Sequence, residues 1–175
     1  MNADELRARQ TPIKTRFKED PASAALLMRA EGRLAVEGQS IRVETPNGPV
    51  VAGLHTATGG EPGSACGAEM LLQALVACAG VTLGAVATSM GIVVRSGTVA
   101  AEGTLDFRGT LGVSRETPIG FRAITMTYSL DTDAEPAQVD TLLKLTERYC
   151  VVFQTLKNPP AFPIVQKVSN AAPAS

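Results

Sequence analysis

Apolar residues gather in one uninterrupted stretch. No residue between Glu69 and Arg95 carries a charge, and the run CGAEMLLQALVACAGVTLGAVATSMG at 66–91 is apolar nearly all round, as a buried helix is. Ser64 offers a side-chain oxygen as N-cap for a helix beginning near Cys66, and Glu69 then falls in the first turns, where the helix dipole favours an anion. Ahead of this run the pattern differs. From Ala24, ALLMRAEGRLAVEG and then SIRVET alternate in part, as half-buried strands do. Asn47-Gly48 follows, a hairpin signal because both residues tolerate positive φ, and PVVAGLHT reads as the return strand. A run of antiparallel strands is therefore expected before the helix. The Gly-rich connection ATGGEPGSACGAE is not followed by G-K-[ST] and opens no G-x-G-x-x-G, so it is not a phosphate-binding loop.

Beyond Gly91 three strand-like segments are expected, IVVRSGTVAAEGTLDFRG, TLGVSRETPIG and FRAITMTYSLDTD, separated by Gly, Pro and Ser turns. The third is the clearest: Ile124, Met126, Tyr128 and Leu130 share one face. Pro136 suits the first turn of a second helix, AQVDTLLKLTERYCVVFQTLKN, which runs to the stop at Pro159-Pro160. Val139, Leu143, Thr146, Cys150 and Phe153 recur along it at spacings of three and four, forming a mostly apolar stripe. FPIVQKVSN reads as a closing strand. Residues 1–20 are polar and mixed in charge, with DELRAR able to form a short surface helix on an arm. The expected division is an arm at 1–23, one α+β domain at 24–168 and a tail at 169–175.

Composition narrows the function. A net charge of −1 and an aromatic fraction of 4% offer no basic footprint or stacking platform for nucleic acid. The uncharged run is long enough to span a bilayer, but it carries Gln73, Thr82, Thr88 and Ser89 and lacks flanking basic residues, so a core helix rather than a membrane span is expected. The first twenty residues hold no apolar signal core, which implies a cytoplasmic protein; there a cysteine pair is more plausibly catalytic or redox-sensing than a permanent disulfide. The three cysteines, Cys66, Cys78 and Cys150, give no C-x-x-C, and His55 completes no zinc set with them. No metal, flavin, nicotinamide or haem motif is visible, and no cofactor is expected. Cys66 and Cys78 on one helix stand about 18 Å apart and cannot bridge. Cys78 and Cys150 lie on different helices, each plausibly facing the core. They are the pair most easily brought together, although a buried thiol in an apolar helix also occurs as inert packing.

The run AEMLLQALVACAGVTL resembles the P-x-E-L-L-x-A-L-A-x-C signature of the OsmC/Ohr family of thiol-dependent hydroperoxide reductases, and a second cysteine in a later helix, in TERYCVVFQTL, is similar to that family's pattern. The likeness covers roughly 24–168. It implies an α+β fold of antiparallel sheets around the long central helix and the second cysteine helix, assembled as an intertwined homodimer with its sites at the interface. It implies Cys78 as peroxidatic nucleophile, Cys150 as resolving cysteine, Glu69 as the signature glutamate, and an N-terminal arginine, Arg29 or else Arg33, holding the thiolate. Organic hydroperoxides are the implied substrates and a dithiol, lipoyl or thioredoxin-like, the implied reductant. Two positions depart from the pattern: Gly67 stands where the signature has proline, and Ala68 stands where the family's peroxidases carry a glutamate. The alternative is a non-enzymatic relative that binds a small apolar ligand or senses redox state in the same cleft.

Overall fold

The computed structural model describes residues 1–35 and 38–168. The chain opens with helix α1, Ala3–Glu19, far longer than the short surface helix expected from DELRAR. Asn2 caps it: its side chain accepts from the Glu5 amide at 2.9 Å, and the Glu5 carboxylate accepts from the Asn2 amide at 3.1 Å. Leu6, Gln10, Ile13 and Phe17 recur on one face of α1, which packs against the central helix.

Three short strands follow, β1 (Gly32–Leu34), β2 (Ser40–Val43) and β3 (Val50–Gly53), paired antiparallel as expected. The turn between β2 and β3 is closed by the Gly48 amide on the Thr45 carbonyl at 3.1 Å, and Gly48 takes φ 107°, a conformation that glycine alone adopts freely. A two-residue strand β4, Ala65–Cys66, joins β3 in parallel. From it the chain passes into the central helix α2, Gly67–Met90. The N-cap is Cys66 and not Ser64, because Cys66 is the last residue held extended by the sheet; its side chain makes no capping bond. Gly91, at φ 68°, ends the helix and returns its amide to the carbonyls of Ala87 and Thr88.

After α2 come β5 (Val94–Thr104) and β6 (Ala123–Thr132), a long antiparallel pair. Ile124, Met126, Tyr128 and Leu130 face inward as the alternation required. The expected middle strand at 110–120 does not form. A single helical turn α3, Phe107–Thr110, leads instead into a loop, because Gly112, Pro118 and Gly120 break any ladder. The β5–β6 ribbon packs on α2, whereas the first sheet meets α2 mainly through β4.

The second helical region is two helices rather than one. Helix α4, Pro136–Tyr149, stops at Cys150, and α5, Val151–Lys157, begins one residue later. Cys150 has an extended backbone, φ −73° and ψ 108°, so it ends α4 by donating its amide to Thr146 and opens α5 by accepting the Phe153 amide on its sulfur at 3.5 Å. Residues 162–168 of the expected closing strand form no strand among the described residues, and the rest of that segment lies outside them.

One stripe of α2 carries the core. Leu75, Ala79, Leu83 and Ala87, spaced by four, are its buried residues. Leu83 and Ala87 meet Ile92 and Leu142 in one cluster, and Leu75 and Ala79 meet Cys150 in another, with Tyr128 of β6 bridging the two. The opposite face of α2 is bare: Ala74, Ala77, Val81 and Gly84 are exposed, Val81 at 77%.

Candidate active site

Cys78 sits midway along α2, one residue before the buried Ala79, and is half-buried against the cluster around Cys150. Cys150 is fully buried. The break between α4 and α5 places it there, and the same break turns the first amides of α5 toward sulfur. A continuous helix would spend these N–H groups on carbonyls four residues earlier; at a helix start they are free to donate outward. That of Phe153 donates to the Cys150 sulfur at 3.5 Å, and those of Val152 and Val151 favour a thiolate at Cys78. Both thiols are free, and each shifts the acidity of the other.

These contacts separate the two acidities. Burial alone pushes the Cys78 thiol up, but donation from the Val152 amide, the Cys150 thiol, the Val151 amide and the Thr82 hydroxyl outweighs it and leaves Cys78 below an ordinary thiol. Thr82 is one turn along α2 and also bonds the Cys78 carbonyl at 2.7 Å. Burial likewise pushes Cys150 up. The Phe153 amide opposes this only partly, and a neighbouring thiolate at Cys78 raises it further. The state favoured as pH rises is thus a thiolate at Cys78 receiving a hydrogen bond from a protonated Cys150. That is the charge distribution of a nucleophile beside a reserve thiol. Tyr128, packed against the cluster that holds Cys150, is pushed above its ordinary value by burial and then by the charges of Cys150 and Glu147.

The remaining sequence candidates lie elsewhere in the single chain. Glu69, in the first turn of α2, is nine residues from Cys78, about 13 Å along a straight helix and on its opposite side. It lines a cavity of about 460 Å³ with His55, Cys66, Leu72, Phe107 and Phe121. His55 stacks on Phe107 with ring centres 5.1 Å apart and accepts the Ala57 amide on Nδ1 at 3.0 Å, so it caps a local turn. Arg29 lies in an exposed segment outside any helix or strand, and Arg33 is exposed on β1 opposite Arg42. Among the described residues no guanidinium or carboxylate bonds the Cys78 sulfur, and no group of three His, Cys, Asp or Glu side chains is placed to hold a metal ion. Sequence reasoning missed the Val151 and Val152 amides and Thr82. Backbone donors leave no residue-type signature, and a threonine four residues after a cysteine was legible only as helix filler.

A pair of free cysteines held between a central helix and a helix start, on an α+β frame, defines the architecture. The model of the OsmC-like protein family matches residues 60–164, which is more than half of the chain, and the chain belongs to that family. No curated protein matches it. Among solved structures, an OsmC-like protein from Mycoplasma pneumoniae is similar with a TM-score of 0.63 at 14% identity, covering 77% of this chain and 89% of that one. An organic hydroperoxide resistance protein OsmC from Legionella pneumophila aligns with a TM-score of 0.55 at 18% identity, over 77% of this chain and 92% of its own. The organic hydroperoxide resistance protein OhrB of Bacillus subtilis gives 0.51 at 18%, over 77% and 94%. At these identities the likeness is one of fold.

Proposed function

We propose that the protein is a thiol-dependent reductase of organic hydroperoxides. The observation that carries this reading is the contact between Cys78 and Cys150, with the α5 amides lowering the first thiol while burial raises the second. The Cys78 thiolate attacks the terminal oxygen of a hydroperoxide; the O–O bond breaks, the alcohol leaves with one proton, and Cys78 becomes a sulfenic acid. The Cys150 thiol then attacks that sulfur, forming the disulfide and expelling water. An external dithiol returns both cysteines to thiols by exchange, becoming a disulfide itself. That demand for dithiol agrees with a reducing, cytoplasmic setting. Two of the similar structures are described as organic hydroperoxide resistance proteins, which supports the same chemistry. With cumene or tert-butyl hydroperoxide and a dithiol such as dihydrolipoamide, peroxide loss should be catalytic and matched mole for mole by dithiol oxidation. Peroxide loss no faster than without protein would defeat the reading.

The working unit in this proposal is a homodimer. Val81 on α2, Leu26, Leu27 and Met28 before β1, and Phe162, Ile164 and Val165 near the C-terminus all stand exposed, Met28 at 90% and Ile164 at 94%. Apolar surface on this scale asks for a partner, and a second copy exchanging the segment around 24–31 would bring Arg29, next to Met28, toward the other subunit's Cys78. Glu69 would act across the same boundary. Light scattering on purified protein should give twice the 18.2 kDa chain mass, and a monomer at micromolar concentration would remove this arrangement.

A further inference from the structure

The break at Cys150 leaves the last carbonyls of α4 without helical partners. The Cys150 amide still bonds the Thr146 carbonyl at 2.9 Å, but the next rung is missing. In a continuous helix the Val151 amide would return to the Glu147 carbonyl, four residues back; here Cys150 belongs to neither helix and that bond is not made. A side chain takes its place. Gln154, in α5, donates from Nε2 to the Glu147 carbonyl at 2.8 Å, seven residues back. The orientation of this side-chain amide is set from its other end, where Nδ2 of Asn158, the residue that caps α5, donates to Gln154 Oε1 at 3.3 Å. Gln154 thus gives Glu147 the hydrogen bond that Val151 does not, and removes the gain from rejoining α4 and α5 into one helix. Helix α5 packs on α2, with Val152 and Cys78 in the same cluster around Cys150, and the Val151 and Val152 amides freed at its start favour a thiolate at Cys78.

We infer that Gln154 is a positioning residue: by occupying the Glu147 carbonyl it holds the α4–α5 break open and keeps the Val151 amide turned to Cys78 instead of to α4. The inference rests on the reading of Cys78 as the nucleophile and adds to it the group that prepares its surroundings. Gln154 acts on the sulfur only through the backbone. Without its donor, the Glu147 carbonyl competes with sulfur for the Val151 amide, and the intrahelical bond takes part of the population. Cys78 then loses a donor while every side chain around it stays in place.

The test follows alkylation of Cys78 by iodoacetamide against pH, read by mass spectrometry on the peptide that carries it. The natural protein is compared with Gln154→Met, which keeps the length of the side chain and loses its donor. The midpoint should rise by about half to one pH unit, the worth of a hydrogen bond to a charged sulfur, and the rate at neutral pH should fall about threefold to tenfold. The titratable neighbours Cys150 and Tyr128, and the charges of Glu147 on α4 and Lys157 on α5, are the same in both proteins. In a Val151→Pro background the same substitution should move the midpoint no further, because the amide through which Gln154 acts is already gone. An unmoved midpoint in Gln154→Met, or an equal rise in both backgrounds, overturns the assignment. Where Gln154→Met does not fold, Gln154→Glu of the same shape replaces it, and the effect of its added charge cancels between the two backgrounds. Hydroperoxide turnover is measured alongside. A Gln154-dependent midpoint in a chain that reduces no hydroperoxide would uphold the positioning role and refute the reductase reading. Normal turnover with an unmoved midpoint would do the reverse.

Discussion

Replacing Cys78 with serine is expected to lower hydroperoxide consumption by more than about 10³-fold, the scale on which removal of a nucleophile is felt. The hydroxyl that remains is not ionised by the same amides, since it is a far weaker acid than a thiol. Replacing Cys150 should produce a different failure. In Cys150→Ser the Cys78 thiolate still meets peroxide, so one equivalent of alcohol should appear. Cycling through an internal disulfide then stops. The sulfenic acid persists, becomes trappable by dimedone, and advances to sulfinic acid under excess peroxide. Whole-protein mass spectrometry after a peroxide pulse separates the two variants. If Cys150→Ser still forms an intramolecular disulfide, Cys66 is the resolving thiol and the assignment falls. About 18 Å of continuous helix between Cys66 and Cys78 argues against that outcome within one chain.

The second large effect is expected from a backbone change. Val151→Pro removes one of the two amides aimed at Cys78 and leaves the side-chain inventory of the site intact. The position tolerates it: Val151 is the first residue of α5, where proline fits, and Cys150 before it is already extended at ψ 108°, as a residue preceding proline prefers. Losing a hydrogen bond to a charged sulfur should move the Cys78 thiol back toward its ordinary value. Because this group's pKa is lowered in the folded protein, the thiolate is lost as pH falls through it. The acid limb of the pH–rate profile should therefore shift to higher pH in Val151→Pro. At neutral pH the rate should drop by on the order of tenfold, the worth of one charge-assisted bond, and recover in alkali. Val151→Ala keeps the amide and is the comparison. Equal loss in both variants would mean that the side chain matters and the amide does not.

Much of the frame was legible because it depends on short-range rules. The absence of charge from Met70 to Val94 could only be a buried helix or a membrane span, and Gly91 marks its end by the positive φ it adopts. The alternation from Ala123 to Thr132 required a half-buried strand, and Asn47-Gly48 required a turn. Where the reading went astray, context overrode pattern. TLGVSRETPIG carries strand-forming residues, but its glycines and proline leave no ladder to join. Ser64 is a better capping residue than Cys66, yet pairing of β4 with β3 holds the chain extended through Cys66 and so sets where the helix can begin.

The site divides along the same line. The sequence by itself singled out the two side chains proposed to carry the chemistry: Cys78 in the middle of the apolar helix and Cys150 on the apolar stripe of a later one. Periodicity of 3.6 residues decides which face a residue occupies, so both thiols could be placed toward the core. Only the tertiary structure decided how they differ. One backbone angle at Cys150 splits the expected single helix into α4 and α5, frees the amides of Val151 and Val152, and directs them at Cys78 while Cys150 itself becomes fully buried. Acidity follows from solvation and from donors supplied by the backbone, and neither belongs to a residue type. Two cysteines of identical chemistry thus acquire opposite shifts from their surroundings alone.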